Sequence, residues 1–126
     1  MEEKTVLVIE DEIPLQNAIR IKLEKSNFRV ITSRTIKEAM NHLKDVEDID
    51  VIWLDHYLVG KDTGLEFIKQ MKKHKEFKHL PIFAISNTAS EEKIEEYKKL
   101  GVEKFYTKSN FRLDQIITDM QSCLEK

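Results

Sequence analysis

The sequence holds a single cysteine, Cys123, among its 126 residues. One thiol cannot form an internal disulfide, and the lack of any CxxC pair or Cys/His cluster argues against a zinc site. No apolar run is long enough to cross a bilayer, and the opening Glu2-Glu3-Lys4 is unlike a signal peptide. Neither sign of charge dominates: 21 Lys and Arg stand against 23 Asp and Glu, for a formal net charge of −2. Binders of nucleic acid or of membrane surfaces usually show a basic excess, which is missing here. Linkers, repeats and low-complexity tracts are absent too. The expectation is one cytoplasmic domain over 1–126, with neither nucleic acid nor membrane as a partner.

What is present is a chain with 40% hydrophobic and 35% charged residues, enough apolar content for a core under a well-solvated surface. Its organising stretch is Val51-Ile52-Trp53-Leu54-Asp55. Continuous hydrophobicity is what a parallel strand covered on both faces requires. Burying an unpaired carboxylate costs several kcal/mol or more, so Asp55 belongs at the mouth of the sheet.

Strand and helix alternate around that stretch. A β-branched strand over 4–9 runs into Glu10-Asp11-Glu12, and Pro14 sits where a first helical turn tolerates it. Leu15, Ala18, Ile19 and Leu23 follow at helical spacing up to Ser26-Asn27. The strand over 28–32 is more polar and suits a sheet edge. Capping boxes pair Thr35 with Glu38 and Thr63 with Glu66, the second opening a helix that turns Leu65, Ile68 and Met71 inward. After the strand over 81–85, Ser90 caps a charged helix whose apolar positions are Ile94, Tyr97 and Leu100, and Gly101 ends it. A strand over 102–106 and a last helix bearing Leu113, Ile116, Ile117, Met120 and Leu124 complete the pattern. Five such alternations predict an α/β fold with a doubly wound, five-stranded parallel sheet, flavodoxin-like in its order 2-1-3-4-5, and helices on both faces.

In such a sheet, ligands bind beyond the carboxyl ends of the strands. Glu10, Asp11 and Asp55, Ser86 and Lys108 all fall at strand ends and therefore on one rim. Clustered carboxylates suit a hard divalent cation such as Mg²⁺. Asp55, with a reference pKa of about 3.9, is expected to be ionised and nucleophilic, and a carboxylate attacking phosphorus gives an acyl phosphate. Lys108 and Ser86 supply a cation and a hydroxyl for a phosphoryl oxygen. Each residue alone has a plainer role at a turn or a helix end; the five together favour phosphoryl transfer.

The chain resembles the response-regulator receiver domains of two-component signalling over nearly its whole length. The matching pieces are Val8-Ile9-Glu10-Asp11-Glu12, the Asp55 strand, Pro81-Ile82-Phe83-Ala84-Ile85-Ser86 and Gly101-Val102-Glu103-Lys104-Phe105-Tyr106-Thr107-Lys108. The resemblance implies that Asp55 is the phosphoacceptor, with Mg²⁺ held by Asp11, Asp55, the Tyr57 carbonyl and Glu10, the last often through water. It makes Ser86 the switch hydroxyl, Lys108 the phosphate-pairing lysine and Phe105 the switch aromatic. The implied donor is a histidine kinase or a histidine phosphotransfer protein, and the only catalysis implied is the domain's own phosphorylation and dephosphorylation. With no DNA-binding segment after the last helix, output is expected through a protein target that docks on the fourth helix, fifth strand and fifth helix, with Tyr97 and Phe105 on that surface.

The sequence departs from the family pattern at several points. Glu10 stands where an Asp is usual, Val59 where a proline is common, Thr63 between Asp62 and Gly64, and Ser109 where a proline normally follows the lysine. A haloacid-dehalogenase-type phosphatase would carry a second Asp two residues after the nucleophile, where this chain has Tyr57. A flavodoxin-like cofactor carrier would not place Glu10-Asp11-Glu12 in its phosphate loop. A receiver-like protein-binding module that works without phosphorylation is the reading the residues leave open.

Overall fold

The computed structural model describes residues 3–46, 48–56, 63–87, 90–108 and 112–125. Ten elements follow in order: β1 Lys4–Ile9, α1 Ile13–Lys25, β2 Phe28–Ser33, α2 Ile36–Asp45, β3 Ile49–Asp55, α3 Gly64–Lys72, β4 Ile82–Ser86, α4 Glu91–Lys99, β5 Lys104–Thr107 and α5 Leu113–Leu124. The strands form one parallel sheet in the order β2-β1-β3-β4-β5, as the alternating pattern predicts.

Side chains alternate along each inner strand and build a core on either face. Ile52 and Leu54 of β3 join Leu7, Ile9, Ile82 and Ala84 beneath α2, α3 and Tyr97 of α4. Val51 and Trp53 join Val6, Val8, Phe83 and Ile85 beneath Ile19 and Leu23 of α1 and Ile116, Ile117 and Met120 of α5. Because all strands run the same way, their carboxyl ends share one rim. The partly polar β2 does lie at an edge.

Local chemistry explains where elements begin and end differently from expectation. Pro81 has no N–H to give a ladder, so β4 starts at Ile82, although the Pro81 carbonyl still accepts from Ile52 N–H at 3.0 Å. Val102 lies outside β5 because its N–H goes to the Tyr97 carbonyl at 3.3 Å, closing the end of α4 around Gly101, whose φ is 84°. The hydroxyls of Thr35 and Ser90 cap α2 and α4, each accepting a backbone N–H at 3.1 Å, from Glu38 and Lys93. The box expected at Thr63 does not form: the Glu66 N–H is taken at 3.1 Å by the Thr63 backbone carbonyl, and the hydroxyl caps nothing. Leu65 is only half-buried, and the inward face of α3 is Gly64, Phe67, Ile68 and Met71.

Candidate functional site

The rim gathers the side chains that the sequence pattern placed there. Glu10 follows β1 and is 1% exposed; its backbone is fixed on both sides, by Glu10 N–H to Ser33 carbonyl at 3.0 Å and by Gln16 Nε2 to the Glu10 carbonyl at 3.0 Å. Asp11 is half-buried beside it. Asp55 closes β3 at 3% exposure, opposite Ile85 in the ladder. Lys108, just beyond β5, is positioned by its N–H to the Ser86 carbonyl at 2.8 Å. Its ammonium lies 3.2 Å from Asp55 Oδ1 and 3.5 Å from Glu10 Oε1.

Glu10, Asp11 and Asp55 each present a carboxylate oxygen within 4.8 Å of the others. Removal from water raises the carboxyl pKa of Glu10 to about 7, and the neighbouring Asp55 charge pushes the same way. Burial likewise raises Asp55 to about 6 against the pull of Lys108. Asp55 is therefore less acidic than its reference value suggests, though still mostly ionised at neutral pH. Burial works against the charge on Lys108, but Asp55 and Glu10 more than offset it and hold its pKa above the usual lysine value. This is a pocket with more negative charge than one ammonium balances. An all-oxygen carboxylate set of this kind fits Mg²⁺, which takes one or two carboxylates and fills its remaining positions with water and phosphate oxygens. Tyr57, expected to add a carbonyl ligand, lies outside the described residues, as do Val59, Asp62 and the Lys108–Ser109 peptide.

Ser86 ends β4 with no exposure, and Lys93 of α4 donates from Nζ to Ser86 Oγ at 3.4 Å. Phe105 on β5 is half-buried, its ring 5.0 Å from that of Tyr97. Tyr97 itself is wholly buried, which corrects its placement on an outer docking surface. Its hydroxyl shares a 2.6 Å hydrogen bond with His56 Nδ1, and that partner is what lets a tyrosine sit fully inside. Burial, helped by the nearby Lys93 charge, lowers the His56 pKa and favours the neutral ring. Gly64 makes room for the pair: a Cβ there would come within 2.6 Å of the Tyr97 hydroxyl and 3.1 Å of the Asp55 carbonyl. Turned outward instead are Glu91, Glu92, Glu95, Glu96, Lys98 and Lys99, so the outer face of α4 is charged rather than apolar.

Sequence reasoning missed His56, Lys93 and Gly64. For Lys93 a signal existed: a cation in the first turn of a helix opposes the dipole there.

The model of response regulator receiver domains matches residues 6–121, and this chain belongs to that family, the receiving module of two-component signalling. The phosphate regulon transcriptional regulatory protein PhoB of Escherichia coli K12 is 28% identical over 105 residues, 83% of this chain and 45% of that protein. The chain thus spans about half the length of the PhoB relatives it matches. Chemotaxis protein CheY4 of Vibrio cholerae superposes with a TM-score of 0.86 at 25% identity, covering 96% of this chain and 98% of that one. The phosphorylated cyanobacterial phytochrome response regulator RcpA gives 0.80 at 26% identity, covering 98% and 93%. A receiver domain is a signalling module rather than a classical enzyme. No helix among the described residues is long and apolar enough to cross a membrane.

Proposed function

We propose that residues 1–126 act in the cytoplasm as a receiver that takes a phosphoryl group onto Asp55 and signals by contact with a protein target. The observation that carries this reading is the buried Asp55 carboxylate, bonded to Lys108 at 3.2 Å with Glu10 and Asp11 alongside. The donor is a phosphohistidine of a histidine kinase or a histidine phosphotransfer protein. An Asp55 oxygen attacks phosphorus; the new O–P bond forms as the P–N bond breaks, and the imidazole nitrogen keeps the electron pair and takes a proton from water.

Asp11 and Asp55 would hold Mg²⁺, with Glu10 close behind. When bound, the ion offsets negative charge on the transferring group. Lys108 stays beside the Asp55 oxygens throughout and pairs with the phosphoryl group once it arrives. Ser86, at the end of the neighbouring strand, donates its hydroxyl to a phosphoryl oxygen. Drawing Ser86 inward leaves space under α4, and Phe105, already packed on Tyr97, is the aromatic group that fills it. The signal leaves through α4, β5 and α5. Support comes from RcpA, a relative whose structure was solved in its phosphorylated form.

Incubation with a small phosphodonor and Mg²⁺ should raise the intact mass by one phosphoryl group, and Asp55→Asn should abolish the gain. Equal modification of the Asn variant would move the acceptor elsewhere. No gain in the unaltered protein would favour a binding module that works without phosphorylation.

A further inference from the structure

We propose that the end of α3 and the turn after it form a docking site for an acidic segment of a partner protein, one large apolar side chain of which enters a cavity beside the turn. The site serves in either state of the rim, so the proposal does not depend on Asp55 being the phosphoacceptor.

Over 69–79 the sequence sets five lysines against the single Glu76, in a chain whose net charge is −2. Lysines on a loose loop would be an ordinary solvated surface, but this backbone is pinned. The Phe77 and Lys78 N–H groups both go to the His74 carbonyl, at 3.2 and 3.1 Å, and the Leu80 N–H goes to the Phe77 carbonyl at 3.0 Å. Lys72 adds a bond from Nζ to the Lys78 carbonyl at 2.9 Å. Lys69, Lys73, Lys75 and Lys78 are exposed on this fixed frame.

The same turn walls a cavity of about 530 Å³. Its apolar lining is Leu43 and Val46 at the end of α2, Ile49 at the start of β3, and Phe77 and Leu80 of the turn, so it lies at the pole opposite the rim. Phe77 rests beside His74, with ring centres 5.7 Å apart. On the other lip Lys44 is accompanied by the exposed Asp45 and Asp48, which leaves the surplus of positive charge on the turn side alone.

That combination selects the occupant. A nucleic-acid backbone binds through charge and would leave the cavity empty. A membrane surface takes up apolar groups that protrude into it, and this apolar surface is concave. An acidic peptide with an aliphatic or aromatic anchor uses both features, its carboxylates along the lysines and its anchor in the cavity. Ile49 and Asp55 are the two ends of β3, about 20 Å apart at the usual strand rise. A partner at this pole leaves the rim open and keeps the receiver in place before and after the switch.

Fluorescence anisotropy on the full chain, with a fluorescein-labelled glutamate peptide carrying a central tryptophan, tests the site. Replacing that tryptophan by alanine should weaken binding about tenfold, the scale of burying one large apolar side chain. Val46→Trp, which fills the cavity, should cost the tryptophan peptide about as much and the alanine peptide less than about twofold. Retained binding of the second peptide shows that this variant folds. Lys75→Glu combined with Lys78→Glu should weaken both peptides more than about tenfold, because like charges then face each other. The same change of charge at the exposed Lys25 and Arg29, beyond the far edge of the sheet, should alter neither by more than about twofold. Treatment with a phosphodonor and Mg²⁺ should leave the affinity as it was.

Equal affinity for the two peptides, or binding of neither, would overturn the proposal. So would an equal loss in the Lys25 and Arg29 variant, which would mark attraction by overall charge. Tighter binding of an oligothymidine or of phosphatidylglycerol vesicles would assign the patch to another class of partner, and dimers that vanish on reversal of Lys75 and Lys78 would assign it to a second copy. An affinity that followed phosphorylation would make the site part of the switch.

Discussion

Helices α3 and α4 cover the same face of the sheet and are held there in opposite ways. Helix α3 buries Gly64, Phe67, Ile68 and Met71, whereas α4 buries Tyr97 alone. The first is fixed by apolar area, which is non-directional and indifferent to the state of the rim. The second has, besides the buried Tyr97 ring, hydrogen bonds between Tyr97 and His56, next to Asp55, and from Lys93 to Ser86 at the end of the neighbouring strand. Such bonds have direction and partners, so a new acceptor at Asp55 competes for them. An element meant to respond to chemistry at the rim has to be attached by that second kind of force.

The largest effect should come from emptying the apolar side. Phe67→Ala should destabilise the whole domain by about 3–5 kcal/mol in a urea titration, the usual range for truncating a buried Phe. A cost below ~1 kcal/mol would mean that α3 is no better anchored than α4.

Next comes the rim. The folded pKa of Glu10 is raised from 4.5 to about 7 and that of Asp55 from 3.8 to about 6, so folding favours their protonated forms. That stability is complete below the unfolded values and is lost as pH rises through the folded ones. Without divalent ions, Glu10→Gln should therefore gain on the unaltered protein by on the order of 3 kcal/mol between about pH 4 and pH 8. A constant difference across that range would contradict the buried, charge-crowded rim, and added Mg²⁺ should shrink the gain by favouring the ionised pair.

Tyr97→Phe sharpens the comparison further. It keeps the ring on Phe105 but deprives His56 of its 2.6 Å partner, so a loss of about 1–2 kcal/mol is expected. Hydrogen exchange should accelerate in α4 and leave α3 unchanged; equal acceleration in both would make the two helices one unit. The smallest change should follow phosphorylation itself, which biases an equilibrium only by its differential affinity for the two states. Altered protection should appear in α4, β5 and α5 but not in α1 or α2, and should weaken in Ser86→Ala.

The sheet was legible because its determinants are local. A run such as Val51-Ile52-Trp53-Leu54-Asp55 has the same meaning in any parallel fold, and five strand-helix alternations leave few strand orders. The rim followed, since the end of each strand could be read directly. The attachment of α4 was not legible: His56 and Tyr97 are 41 positions apart, and nothing local says that their polar atoms meet. Tyr97 looked like a surface residue because its helix carries so few apolar positions among its charges. The failed Thr63 cap shows the converse, a correct local signal overridden when the backbone carbonyl took the N–H first.

The alternation of side chains along β3 has a practical consequence. Trp53, the one tryptophan of the chain, points into the core under α1 and α5, two residues before Asp55 and on the face away from α4. It also borders a cavity whose upper wall includes Glu10 and Lys108. Its fluorescence is therefore a single-site optical channel that senses charge arriving at the rim from behind, while any shift of α4 happens on the opposite side of the sheet. A change in Trp53 emission on addition of a phosphodonor therefore reports charge at the rim, or movement of the α5 face that packs on the indole, without any label and without any shift of α4.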